Sequence, residues 1–258
     1  MIKNINDFYF TNDEYDIFSK ENASLGTKEI QERRNRLQEK LLQLNSELYP
    51  LILQNNLNLS THKSSEHITS LAYPCFFNRY RVDWLGIRYG RNARDIQDLE
   101  EVINNIPNYQ RTREDKRLGF QKYACLQVNI CYTGVEIGIF HSVPDFAVDR
   151  MYMHEHLDDK ELQNKIIEEI RKLKGYGYVW EISNEDVVYP FDFDKEDPKD
   201  FIKFYKDNDK AGCWSMMLKH FPRYDERINK QNIVNTALEI ITDLKPLYEL
   251  VIWKRKEY

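Results

Sequence analysis

Between residues 27 and 54 the apolar positions recur at threes, fours and sevens. Ile30, Leu37, Leu41, Leu44, Leu48 and Leu51 carry the pattern, with Glu, Arg and Gln between them. That spacing predicts a long amphipathic helix opened by Thr27, which Pro50 bends or ends near its last turn. The polar run NNLNLSTHKSSEH that follows predicts a surface loop. From Tyr73 the chain reads YPCFFNRYRVDWLGIRYGRN, which predicts one or two strands broken near Pro74 and Gly86. A short helix over 95–106 and the charged loop NYQRTREDKR come next.

In YACLQVNICYTGVEIGIFH, residues 123–141, the period drops to two. Ala124, Leu126, Val128 and Ile130 point one way, and Cys125, Gln127, Asn129 and Cys131 the other. Thr133-Gly134 is the expected two-residue turn of a hairpin, with Cys131 opposite Glu136. Asp158 and Glu161 have the capping-box spacing for a helix whose stripe is Leu162, Ile166, Ile170 and Leu173 and whose end lies near Gly175. The strand YGYVWEIS follows. The acidic run VVYPFDFDKEDPKD reads as a loop into a short helix at 201–205, and CWSMMLKHF as a last strand. A terminal helix over 233–253 turns Ala237, Ile240, Leu244, Leu247 and Val251 inward and bends at Pro246.

This order predicts an α+β fold: a twisted antiparallel sheet with long amphipathic helices packed mainly on one face, the other face partly open. No repeat or linker interrupts it, so a single domain over 1–258 is expected, with 1–26 as a loosely packed arm.

Composition narrows the classes of function. The 258 residues are 41% hydrophobic and 31% charged, with a net charge of −5, which excludes a protein that clamps nucleic acid by global basicity. No apolar run approaches the roughly 20 residues of a membrane span, and the N-terminus lacks a signal-peptide pattern, so a cytoplasmic protein with no membrane partner is expected. Cys75, Cys125, Cys131 and Cys213 have no metal-type spacing and read as free thiols of a reducing compartment.

Three constellations carry candidate chemistry. Arg79, Arg81 and Arg88, with Trp84 beside them, offer forks for phosphate or carboxylate and a surface for stacking, although Asp83 and other acids nearby offer ordinary partners. Gln127, Asn129 and Glu136 make the polar side of the hairpin. A sheet covered on one side needs such residues toward water, but if the arginine strand shares their face they line a ligand pocket. His141, Asp145, His154 and His156 are imidazole and carboxylate groups of the kind that bind metals, here without an HExxH or EF-hand spacing. Nucleophile-elbow and phosphate-loop motifs are absent, and no cofactor is implied.

The stretches LNSELYPLI, DWLGI, GFQKY and LKPLYEL, in this order along most of the chain, resemble the YktB-like family of uncharacterised bacterial proteins. The resemblance implies an antiparallel sheet flanked by helices and brings no activity. From the residues, the expected function is binding of an anionic ligand, a nucleotide, nucleic acid or acidic partner, through the arginine strand beside the polar hairpin face. A metal-dependent hydrolase or nuclease built on His141, Asp145, His154 and His156 is the alternative, and an interaction module without catalysis is a third.

Overall fold

The computed structural model describes residues 7–61, 81–105, 123–142, 147–184, 186–210 and 212–255. They form an α+β fold around one open antiparallel sheet. In chain order the helices are α1 (Asn12–Tyr15), α2 (Lys28–Gln54), α3 (Ala93–Asn105), α4 (Val148–His156), α5 (Lys160–Lys172), α6 (Phe201–Asn208) and α7 (Ile233–Val251). The strands are β1 (Ser60–Thr61), β2 (Trp84–Gly90), β3 (Cys125–Cys131), β4 (Gly134–Ser142), β5 (Val179–Ser183), β6 (Val188–Asp192) and β7 (Trp214–Pro222), in the sheet order β1-β2-β3-β4-β7-β5-β6. Among the described residues, no helix is long and apolar enough to cross a membrane.

The chain divides into two compact units of three segments each. One comprises Met1–Tyr89, Gln127–Ile137 and His220–Thr242, the other Gly90–Leu126, Gly138–Lys219 and Asp243–Tyr258. The units interleave along the chain, so no linker marks them in the sequence.

In the first unit, Thr27 caps α2 by accepting from the Ile30 amide at 3.4 Å. Ile30, Leu37, Leu41, Leu44 and Leu48 form its buried stripe as the spacing predicts, but Ile52 rather than Leu51 continues it, one helical repeat beyond Leu48. Tyr89 fixes α2 on the Leu85, Ile87 and Tyr89 side of β2: its hydroxyl donates to Asn45 Oδ1 at 2.8 Å and its ring stacks on Tyr49. The lead-in to α2 is held more firmly than a loose arm. Phe8, Tyr9, Phe10, Tyr15, Ile17 and Phe18 are buried. Arg34, buried on α2, donates to the carbonyl of Ala23 at 2.9 Å and that of Asn22 at 3.3 Å. Aromatic content, not periodicity, makes this segment part of the core.

In the second unit, β5 pairs with β7 from Val179 opposite Leu218 to Ser183 opposite Trp214. It also pairs with β6 from Val179 opposite Asp192 to Ser183 opposite Val188. Strand β6 lies in the acidic run that reads as a loop. Phe191 and Phe193, both fully buried, draw it in, and Phe191 meets Phe201 of α6 with ring centroids 5.4 Å apart. Helix α5 starts one residue later than its capping pattern suggests: Asp159 is the cap, accepting from the amides of Glu161 and Leu162. Helix α4, in a stretch where the pattern predicts no helix, buries Val148, Asp149, Arg150 and Met153. Half of that buried set is charged, which is why no apolar stripe announces the helix.

Candidate functional site

The hairpin strands β3 and β4 flank a turn at Tyr132 and Thr133, one residue earlier than the Thr-Gly pair suggests. Gly134 opens β4 instead. A Cβ there would lie 2.0 Å from the Phe221 carbonyl oxygen, so the approach of β7 admits only glycine. Shifting the turn by one residue leaves both faces of the hairpin as the alternation assigns them.

Close approaches also fix what lies beside each strand. A Cβ on Gly86 would fall 1.9 Å from Asn129 Oδ1, and one on Gly90 would lie 3.5 Å from Cys125 Cβ. Both pairs fit a single antiparallel register of β2 on β3, in which Arg88 faces Gln127 and Trp84 faces Cys131. On the far side of the hairpin, the bridge between Glu136 Oε1 and His220 Nδ1, 3.7 Å, sets β4 against β7. One sheet face of the first unit therefore carries Trp84, Gly86 and Arg88 from β2, Gln127, Asn129 and Cys131 from β3, Glu136 from β4 and His220 from β7. The arginine strand does lie beside the polar side of the hairpin.

This face is not wet. Arg88 is 0% exposed, Asn129 2% and Gln127 4%, which corrects the expectation of a half-open sheet at these positions. Alternation tells which way a side chain points; it carries no information on whether that side is covered. The Arg88 guanidinium carbon sits 5.1 Å from the centroid of the Trp84 ring, a cation–π contact inside the protein. Gln127 Oε1 and Asn129 Oδ1 are buried acceptors without a hydrogen-bond partner among the described residues. Toward the turn, Cys131 Sγ lies 3.6 Å from Glu136 Oε1 and 3.3 Å from Thr133 Oγ1. Burial and the Glu136 charge push this thiol up to about 12, so at neutral pH it is the protonated partner of the carboxylate.

The remaining candidates are placed elsewhere. Arg81 is exposed and pairs with Asp83 at 3.3 Å. Arg79 and Asp145 lie outside the described residues. His141 is completely buried in the second unit. Its Nε2 donates to the Val251 carbonyl at 2.8 Å and its Nδ1 accepts from the Tyr205 hydroxyl at 3.1 Å, while burial lowers its pKa. His154 Nε2 meets Asp209 at 2.9 Å, and His156 Nδ1 donates to the Tyr152 carbonyl one turn back on α4. These three histidines are thus each engaged by a different protein partner. Among the described residues, one group of three His, Cys, Asp or Glu side chains brings its ligand atoms within 4.8 Å of one another: Cys131, Glu136 and His220.

Sequence reasoning missed His220 and the acid Asp209. His220 belongs to a strand that the pattern identifies, but its neighbour Glu136 lies far away in the chain. Asp149 accepts both Arg91 Nη atoms and the amides of Ala124 and Trp253; Asp209 accepts Arg150 and His154. Burial raises the Asp209 pKa, but His154 and Arg150 outweigh it and hold the carboxyl below its usual range.

The fold and the site together define an α+β protein with a largely buried polar sheet face. No protein-family model matches the chain, and no curated protein matches it.

Proposed function

We propose that the protein binds a small anion bearing N–H or O–H donors, of the nucleotide or carboxylate class, on the polar face of β2 and β3. Arg88 supplies the positive charge, Trp84 backs its guanidinium, and Gln127 and Asn129 accept from the ligand's donors. One observation carries the reading: two buried amide oxygens at alternate positions on one strand face have no hydrogen-bond partner among the described residues, beside a buried guanidinium. Each such acceptor costs about 1–3 kcal/mol unless something donates to it. Burial favours a small ligand over nucleic acid, whose backbone needs an open basic groove.

The same reading takes the protein for a cytoplasmic one, in a reducing compartment where Cys131 and Cys213 stay as thiols. The likeness to YktB-like bacterial proteins belongs to this proposal and adds no chemistry to it.

Calorimetric titration of the full chain with nucleoside phosphates and small dicarboxylates, in the presence of a chelator, tests it. Binding of a member of either class is expected, weakened about tenfold or more in Arg88→Met, the loss of one charge-assisted contact. Asn129→Ala gives a second reading should Arg88→Met fail to fold. Wild-type protein that takes up neither class, or an Asn129→Ala variant that binds as the wild type does, refutes the proposal.

A further inference from the structure

The geometry points to a transition-metal site, of the Zn²⁺ class, held by Cys131 Sγ, a Glu136 carboxylate oxygen and a ring nitrogen of His220. These three residues come from three neighbouring strands, β3, β4 and β7, and project from one face of the sheet. No motif marks them, because the pairing of β4 with β7 joins segments that are remote in sequence.

The distances fit the ion. Zinc bonds of about 2.3 Å to sulfur and about 2.0–2.1 Å to nitrogen or oxygen place tetrahedral ligand atoms about 3.5 Å apart. Cys131 Sγ and Glu136 Oε1 are already 3.6 Å apart, and Glu136 Oε1 and His220 Nδ1 3.7 Å. All three ligand atoms lie within 4.8 Å of one another, so changes in side-chain rotation, without backbone movement, close the set. The 3.7 Å between imidazole and carboxylate is too long for a hydrogen bond and leaves room for an ion to draw both in.

The donor types select the metal. Thiolate and imidazole disfavour Mg²⁺ and Ca²⁺, which take oxygen ligands, and suit Zn²⁺ or Co²⁺. Sheet strands hold the donors more rigidly than loops would. The His220 side chain is 35% exposed, which gives an ion a path from solvent. Three protein ligands leave a fourth tetrahedral position for water or for a donor atom of a bound molecule.

Cobalt titration of the full chain, stripped with chelator beforehand, tests the site. The expected result is one Co²⁺ per chain, a thiolate-to-cobalt charge-transfer band in the near ultraviolet, strong tetrahedral bands in the visible, and displacement of both by Zn²⁺. Cys131→Ser is expected to abolish the charge-transfer band. His220→Gln, at a partly exposed position where the fold is preserved, is expected to weaken uptake by more than about tenfold, the loss that even outer-shell changes produce. Wild-type protein without the charge-transfer band overturns the assignment. So does a band that survives in Cys131→Ser, or His220→Gln protein that binds Co²⁺ as tightly as the wild type.

Discussion

Asn129 and Asp149 are buried alike, at 2% and 0% exposure, yet among the described residues the oxygen of one receives no hydrogen bond while the oxygens of the other receive four. Asp149 belongs to a region of the second unit where buried charges meet countercharges: Arg91 for Asp149, and Arg150 for Asp209, which His154 also contacts. Asn129 belongs to a face of the first unit where buried amides are left open. Burial alone therefore does not distinguish scaffold from site. A polar group whose bonding capacity is met within the chain has its reason for being buried; one whose capacity is unmet points to something outside the chain.

The contrast makes predictions in descending order of size. Asp149→Ala leaves Arg91 buried without its countercharge and two amides without an acceptor. A loss of about 3–5 kcal/mol, read by chemical denaturation, is expected; a loss below 1 kcal/mol would remove the scaffold role assigned to this region. The next effect comes from His141. Burial lowers its pKa, so the folded state holds it neutral while the unfolded chain takes up a proton near the ordinary value of 6.5. Its contribution is complete above that value and declines as pH falls below it, by up to about 2 kcal/mol between pH 7 and pH 5. Denaturation midpoints across this window are expected to fall in the wild type and to flatten in His141→Gln. Asp209, also lowered, adds its own loss only at more acidic pH, near and below the ordinary carboxyl value of 3.8. The smallest effect is expected at Asn129→Ala, within about 1 kcal/mol of the wild type, because no hydrogen bond to Oδ1 is lost. A loss as large as that of Asp149→Ala would mean that Asn129 is scaffold after all.

The two regions also differ in how far the sequence reveals them. The alternation of Gln127, Asn129 and Cys131 against Leu126, Val128 and Ile130 assigns the site's face correctly, since a period of two survives any pairing partner. The adjacency of β2 is another matter. It depends on Gly86 lying under Asn129, a contact between strands separated by α3 and a long connection. His220 is hidden for the same reason. The charged region is illegible from the start: VDRMYMHEH buries an acid and an arginine side by side, and hydrophobic periodicity scores them as surface. Long helices, where apolar spacing and burial coincide, are the most legible, as the stripe from Ile30 to Leu48 illustrates.

The bonds to Asp149 have a kinetic side. Its partners Ala124, Arg91 and Trp253 are 25, 58 and 104 residues away along the chain, so the carboxylate cannot be satisfied until three remote segments have met. Contacts of such separation follow the closure of large loops and form late in folding. Interactions absent from the transition state act on the exit from the native state. Asp149 is thus a latch: it does little to hasten folding and sets how slowly the finished protein comes apart.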